Sequence, residues 1–261
     1  MANLILGRYI PGDSFVHRLD PRSKLLSMLI FIIVVFWANN VLTNFLMFVF
    51  TMILVILSRV KISFFLKGLR PMIGLILFTT LFQVLFTQNG HVLFHLWIIK
   101  ITDSGIGQAA LIFMRFVLII IFSTLLTLTT TPLSLADAVE SLLKPLEPLK
   151  VPVHEIGLML SLSLRFVPTL MDDTTRIMNA QRARGVDFGE GNLIQKIKSI
   201  IPILIPLFAS SFKRADALAT AMEARGYQGG AGRSKLKWTY KDSLAIVGIC
   251  LLGFILFLLK K

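Results

Sequence analysis

The sequence predicts an all-α, polytopic membrane protein with about five transmembrane helices and a cytoplasmic helical insert. Two observations lead to this prediction. Of the 261 residues, 55% are hydrophobic and only 16% are charged, and the apolar residues are concentrated in long runs. Such a composition is too apolar for an ordinary soluble domain. The single cysteine, Cys250, leaves no disulfide framework or cysteine metal site to consider.

The first apolar run covers residues 25–58, which include no Asp, Glu, Lys, Arg or His. As one helix this run would be about 50 Å long, whereas the hydrocarbon core of a bilayer is about 30 Å thick. The polar break at residues 37–40 therefore predicts two helices joined by a tight turn. Further spans are predicted at residues 71–87, 106–131 and 243–259, the first of these ending at the turn signal Gln88-Asn89-Gly90.

The basic residues predict the orientation of these spans. The formal net charge is +13, and 23 of the 27 Lys and Arg residues lie before the first span, between the second and third spans, or at residues 132–241. Placing these segments in the cytoplasm satisfies the positive-inside rule. The N-terminus is then cytoplasmic and the C-terminus extracellular. Because topology accounts for the excess charge, no nucleic-acid partner is predicted.

The long polar insert is the predicted functional domain, so the chain divides into residues 1–131, 132–241 and 242–261. The insert is helical in pattern, and prolines mark its joints. We expect a short helix over 134–143, a second helix from 154 to about 184, and a third helix over 192–225. Pro202 and Pro206 are expected to bend the third helix.

The tripeptide Ala-Arg-Gly occurs twice in the insert, 41 residues apart, and each copy closes a predicted helix. One interpretation is helix capping, because Gly often follows the last helical residue and the helix dipole favours Arg in the last turn. The other is docking, because an arginine at a helix end donates well to acidic groups in a protein groove. Two copies favour docking, and capping is compatible with it. The predicted docking residues are Ala183, Arg184, Gly185, Ala224, Arg225 and Gly226.

The second half of the third insert helix is rich in small residues, which allow two helix backbones to approach closely. We therefore predict that this helix crosses the second one near residues 164–178. The residues expected at the crossing are Ala215, Ala219 and Ala221.

Several short motifs occur in order along nearly the whole chain. They are residues 9–14 (YIPGDS), 17–24 (HRLDPRSK), 129–132 (TTTP) and 164–168 (LRFVP), the first Ala-Arg-Gly, and 214–216 (RAD) with 221–227 (AMEARGY). This ordered set resembles one family, the transmembrane (T) component of energy-coupling factor (ECF) transporters, which are prokaryotic ATP-driven importers. The last of the motifs is the most specific.

The resemblance implies a scaffold in the cell membrane between two cytoplasmic ATP-binding cassette ATPase subunits and a substrate-binding membrane subunit, the S component, for vitamin or micronutrient uptake. In that family the two arginine-centred helix ends dock on the ATPases, which assigns coupling to Arg184 and Arg225. The N-terminal motif resembles the version shared among several S components. The resemblance implies no catalytic residue, cofactor or metal of its own, and the sequence contains no G-x-x-x-x-G-K-[ST] phosphate loop.

Two other classes of protein compete with this interpretation. A secondary transporter commonly places Asp or Glu near the membrane midplane, but all five predicted spans lack an acidic residue. A membrane enzyme needs a nucleophile or metal beside its carboxylates, and none pairs with the carboxylates of the insert. Those carboxylates are Glu140, Glu147, Asp172, Asp173 and Glu223.

Four further residues need separate interpretation. Arg115 lies inside a predicted span and is either functional or reaches the outer interface. His91 and His95 have a spacing that suits a metal on a helix face, but they lie in a predicted external turn without a third ligand. His154 is isolated in sequence and is expected to hydrogen-bond local backbone groups.

The predicted topology is testable with single cysteines at Asn89 and Gly229 in a Cys250→Ser background. Because only the second position belongs to the cytoplasmic insert, an impermeant thiol reagent should label Asn89→Cys from outside intact cells and Gly229→Cys only after the membrane is opened. Labelling of both cysteines from outside would contradict the topology.

Overall fold

The computed structural model describes residues 9–87, 92–96, 99–188, 192–227 and 236–259. These residues form nine α-helices and one two-stranded antiparallel sheet. The predominance of helix and the long apolar helices confirm the predicted class of all-α membrane protein. The turn signal at residues 88–90, His91, and the labelling positions Asn89 and Gly229 lie outside the described residues.

The helices are numbered in chain order. They are α1 (Pro21–Val35), α2 (Val41–Ser58), α3 (Ile62–Leu69), α4 (Ile73–Phe86), α5 (Asp103–Thr129), α6 (Pro132–Leu143), α7 (Val153–Ala183), α8 (Leu193–Ala224) and α9 (Tyr240–Leu258). Two 3₁₀ segments, Arg70–Met72 and Lys144–Leu149, follow α3 and α6. Strands β1 (Val92–Leu96) and β2 (Ile99–Thr102) form a hairpin between α4 and α5, with Val92 paired to Thr102.

Four stretches among the described residues are long and apolar enough to cross a membrane. They are α2, the continuous stretch Ile62–Phe86, α5 and α9. The break at residues 36–40 separates α1 from α2, as predicted. With 15 residues, α1 is about 22 Å long and so shorter than a typical hydrocarbon core. Pro71 does not begin a new span, because it occupies the first turn of the 3₁₀ segment, where a missing N–H is tolerated.

The chain divides into two compact units. The first contains Met1–Ala138 and Leu236–Lys261, and the second contains Val139–Lys235. In the first unit α5 contacts α1, α2, α3 and α4, and α1 also contacts α9. The rings of Phe31 and Phe122 stack at the centre of this bundle with their centroids 4.1 Å apart. The long apolar helix α5 is therefore the element around which the first unit is built.

A buried carboxylate joins the start of α9 to the start of α1. Asp242 is 0% exposed, and one of its oxygens accepts hydrogen bonds from the Asp20 N–H at 2.7 Å and the Ser23 Oγ–H at 2.9 Å. Its other oxygen accepts from the Thr239 N–H at 2.7 Å, which caps α9. The sequence motif at residues 17–24 therefore has a structural role, because it supplies two of the three donors that bond to this carboxylate.

Lys24 joins the same motif to α5. Its Nζ donates to the Thr129 carbonyl at 2.9 Å, at the C-terminal end of α5, and to the His17 carbonyl at 3.2 Å. A cation at a helix C-terminus is favoured by the helix dipole and satisfies a carbonyl that has no partner within the helix. His17 itself contacts the Ile10 carbonyl at 3.0 Å. The N-terminal segment is thus attached to the helical bundle by polar contacts.

Arg115 contacts the turn between α1 and α2. Its guanidinium donates to the Ala38 carbonyl at 3.0 Å and to Asn39 Oδ1 at 3.4 Å, and it lies 5.4 Å from the centre of the Phe36 ring. The sequence suggested either a functional site or an arginine that reaches the outer interface, and neither alternative predicted these contacts. Arg115 stabilises the polar turn that separates the first two helices.

Asp242→Asn is expected to lower the thermal unfolding midpoint of the purified chain in detergent by several degrees. An amide has one acceptor oxygen where the carboxylate has two, so a buried N–H or O–H loses its partner, at a cost of about 1–3 kcal/mol. Asp13→Asn is the matched control, because the Asp13 side chain is 95% exposed. Equal midpoints for the two variants would contradict the role of Asp242.

Candidate functional site

The first Ala-Arg-Gly ends α7 in a defined cap. α7 runs to Ala183, and Gly185 has φ +85°, in the left-handed region that favours glycine. The Gly185 N–H donates to the Arg182 carbonyl at 3.0 Å, and the Val186 N–H donates to the Gln181 carbonyl at 3.1 Å. These two bonds are those of a Schellman motif.

The second copy ends α8 in the same way. Gly226 has φ +72°, and its N–H donates to the Glu223 carbonyl at 2.9 Å. The Tyr227 N–H donates to the Met222 carbonyl at 3.0 Å. The repeated tripeptide is therefore a repeated backbone geometry. Capping accounts for the position of each glycine, but it uses only the backbone of each arginine.

Both arginine side chains extend from these caps into solvent. Arg184 and Arg225 are exposed, as are Ala183 and Ala224 beside them. Neither guanidinium forms an ion pair or side-chain hydrogen bond with another residue in the described part of the chain. A planar guanidinium with free donors, on a rigid helix end and flanked by small residues, is suited to bidentate binding of a carboxylate.

Helices α7 and α8 run antiparallel where they contact each other. Near the end of α7, Gln181 Nε2 donates to the Pro202 carbonyl at 3.3 Å, and further back Arg214 Nη2 donates to Asp173 Oδ2 at 2.8 Å. The guanidinium of Arg214 also lies 5.7 Å from the centre of the Phe166 ring. Later residues of α8 thus contact earlier residues of α7, as in any antiparallel pair. The two arginine-bearing ends lie at opposite ends of the pair, about 40 Å apart along α8.

The Asp173–Arg214 ion pair was not predicted from the sequence, in which Asp173 was considered only as one of the carboxylates of the insert. The neighbouring Asp172 is exposed on α7, and within the described residues its side chain forms no ion pair or hydrogen bond with α8. Asp173 is one residue further round the helix, and its carboxylate is 19% exposed. Only the packing of α8 against α7 identifies Asp173 as the paired residue, because its partner is 41 residues away.

A mostly apolar groove of about 290 Å³ lies between α7 and α8 near the second tripeptide. Leu162, Phe166 and Leu170 line its α7 side, and Ala215 and Ala219 are among the residues on its α8 side. Both alanines are exposed. Ala221, the third residue of the predicted crossing, is also exposed and does not line the groove. A close crossing therefore requires α7 and α8 to move closer to each other at this groove. The crossing itself stays a prediction.

His154 is not isolated, contrary to the expectation from the sequence. Its Nδ1 lies 3.3 Å from Glu140 Oε1, and its Nε2 lies 3.3 Å from Glu147 Oε1. The side chain of Glu140 is buried, and a Cβ at Gly157 would overlap its carboxylate. The imidazole thus joins the end of α6, the following 3₁₀ segment and the start of α7. Within the described residues no group of three or more His, Cys, Asp or Glu side chains is placed to hold a metal ion.

The chain matches proteins of known family along most of its length. The model of the family described as cobalt transport protein, CbiQ, matches residues 12–238. Relatives from Streptococcus equi and Streptococcus thermophilus are 75% and 70% identical, over the whole of this chain and 98% and 100% of the relatives. A relative from Bacillus subtilis is 52% identical over the whole of this chain and 99% of its own length. Each is called energy-coupling factor transporter transmembrane protein EcfT. This chain belongs to that family.

The family membership confirms the resemblance stated from the sequence motifs. The chain is accordingly a membrane protein and a transport subunit, the transmembrane component of an ECF transporter. The matched residues 12–238 include most of the N-terminal segment around His17 and both arginine-bearing helix ends.

The predicted crossing can be tested at the groove between α7 and α8. Leu at Ala215 or Ala219 would occupy the groove and prevent the two helices from approaching, since packed interiors have few voids. We expect at least one of Ala215→Leu and Ala219→Leu to impair transport while the subunits of the transporter still co-purify. Ala221→Leu is the comparison, because Ala221 lies outside the groove lining. Normal transport by both groove variants would contradict the predicted crossing.

Proposed function

We propose that this chain couples two cytoplasmic ATP-binding cassette ATPases to a substrate-binding membrane subunit. Arg184 and Arg225, each held at a capped helix end with exposed alanine beside it, dock in acidic grooves on the two ATPases. ATP-driven closure of the ATPases then moves α7 and α8, and this movement reorients the substrate-binding subunit. ATP is hydrolysed by the partner subunits, and this chain is not catalytic.

One observation carries the proposal: the same cap geometry, with the same exposed arginine, recurs at both ends of one antiparallel helix pair. Two related ATPases offer two equivalent grooves, and a scaffold that binds both needs two equivalent contacts. A separation of about 40 Å along α8 suits two separate subunits better than one. A cap that served only to end each helix would not need arginine at both positions.

The Asp173–Arg214 ion pair supports a mechanical role for α7 and α8. At 2.8 Å, with the guanidinium also against Phe166, it joins the two helices well before the capped end of either one. Because the side chains are only 19% and 30% exposed, the contact is less screened than an exposed ion pair. A movement imposed at one helix end would therefore be passed to the partner helix.

The orientation belongs to the same proposal. The Val139–Lys235 unit, which carries both arginine-bearing ends, lies in the cytoplasm, as does the N-terminus, and the C-terminus is extracellular. Exposed apolar residues on α8, such as Ile201, Ile205 and Phe208, suit the membrane surface. The cargo is a vitamin or another micronutrient chosen by the substrate-binding subunit.

A self-sufficient secondary transporter is the alternative, and the acidic residues argue against it. The four candidate spans contain Asp103 and Asp242 as their only acidic residues, both in the first turn of a helix. The carboxylate of Asp242 is already satisfied by three protein donors. An ion-coupling carboxylate would need to be free to bind and release its ion.

Arg184→Glu and Arg225→Glu are expected to reduce co-purification of the ATPases and to reduce ATP-dependent uptake, and the double variant is expected to abolish uptake. Removing one partner of a desolvated ion pair at an interface costs about 2–5 kcal/mol, and Glu adds repulsion from the acidic groove. The measurements are pull-down of tagged ATPases and uptake of substrate into proteoliposomes.

Arg165→Glu is the matched control, because Arg165 is exposed on α7 at a distance from its capped end. It should retain both ATPases at wild-type level, and the unfolding midpoints of all variants should stay close to that of the wild type. Wild-type uptake by the double variant would refute the docking assignment.

A further inference from the structure

The two arginine-bearing helix ends share a backbone geometry but differ in charge. When the chain is aligned on the repeated tripeptide, Arg182 on α7 corresponds to Glu223 on α8, because each precedes the docking arginine by two residues. The two caps have the same hydrogen-bond pattern, so these two side chains leave the backbone at equivalent places. Both side chains are exposed. A partner that encloses a helix end therefore meets a second cation on α7 and an anion on α8.

The side chain of Arg182 is positioned by an aromatic ring. Its guanidinium carbon lies 5.8 Å from the centre of the Phe188 ring, in the segment that follows the cap. A cation–π contact at this distance favours one placement of the guanidinium. In the described part of the chain Arg182 forms no ion pair or side-chain hydrogen bond. Its N–H donors are therefore available to an acidic partner.

An open concavity of about 520 Å³ lies beside this guanidinium. Its lining residues are Arg182, Gly185, Val186, Asp187 and Phe188. The concavity gives a side chain of the partner access to Arg182 while the same partner holds the adjacent docking arginine. The carboxylate of Asp187 reduces the positive charge of this end but does not cancel that of two arginines. The α7 end therefore fits a groove with an excess of acidic side chains.

The α8 end carries opposite charges close together. Among the described residues Glu223 forms no ion pair or side-chain hydrogen bond. Arg225 does not neutralise it, because residues two apart lie on different sides of a helix. A groove with only acidic side chains would bind Arg225 but would repel Glu223, and like charges that face each other across an interface exclude the wrong partner. The α8 end therefore fits a groove that also has a basic residue at its rim.

We propose that Arg182 and Glu223 determine which ATPase each helix end binds. The α7 end binds the ATPase with the more acidic groove, and the α8 end binds an ATPase whose groove carries a basic residue at the rim. The two grooves are thus alike where they hold the docking arginine and differ beside it. This inference rests on the proposed docking of Arg184 and Arg225, and it adds that the two ends are not interchangeable.

Photo-cross-linking in the assembled transporter tests the selection. A benzophenone amino acid replaces Val186 or Tyr227, which occupy equivalent positions directly after the two cap glycines, and the captured ATPase is identified by mass. In the wild type we expect a different ATPase to predominate at each position. In the double variant Arg182→Glu, Glu223→Arg we expect the predominant ATPase at each position to be exchanged.

Two further double variants serve as controls. Arg176→Glu with Asp216→Arg makes the same charge changes at exposed positions about two turns earlier on the same helices, and it should capture as the wild type does. Arg182→Lys with Glu223→Asp keeps both charges and should also capture as the wild type does. If this charge-keeping variant changed capture as much as the exchanged variant, the two residues would act through packing, and the proposal would be overturned.

Salt provides a readout that a packing role would not affect. Because exposed charges at the rim of an interface are screened by ions, the preference of each helix end for its ATPase should weaken as the salt concentration rises. A preference that is independent of salt would overturn selection by charge.

Two capture patterns would overturn the inference while the docking assignment stands. One is predominance of the same ATPase at both positions in the wild type, and the other is unchanged capture in the Arg182→Glu, Glu223→Arg variant. Capture of no ATPase at either position would instead refute the docking of Arg184 and Arg225, and with it the basis of this inference.

Discussion

The antiparallel pairing of α7 and α8 is the constraint on which the functional interpretation depends. The Asp173–Arg214 ion pair and the contact between Gln181 and the Pro202 carbonyl set the direction of the pair. Two helices that run in opposite directions have their C-terminal ends at opposite ends of the pair. Because the same cap occurs at both C-terminal ends, the unit presents two equivalent arginines that point to two different places.

The first unit depends on polar contacts made at the ends of its apolar helices. Asp242 joins α9 to α1, and Lys24 joins α1 to the C-terminal end of α5. Arg115 contacts the turn between α1 and α2. Dispersion and apolar burial hold the helices together but are not directional, whereas hydrogen bonds to buried charges are sensitive to position. These contacts therefore determine how the apolar helices align.

Local signals made much of the fold predictable from the sequence, whereas contacts distant in the chain were not. Helices α7 and α8 end where Gly185 and Gly226 take a positive φ, and glycine after a periodic segment is a local signal. The hairpin of α1 and α2 followed from the length of an apolar run. By contrast, the partner of Asp173 is 41 residues away, and two partners of Asp242, Asp20 and Ser23, are more than 200 residues away. Only packing identifies such pairs.

Photo-cross-linking from the two helix ends tests the central claim most directly. A benzophenone amino acid replaces Ala183, Ala224 or both in the assembled transporter, and the products are identified by mass after irradiation. The account predicts that each single substitution captures one ATPase and that the double substitution yields a species with one copy of this chain and two ATPases. Capture of a single ATPase by both positions, or of no ATPase by either, would contradict it.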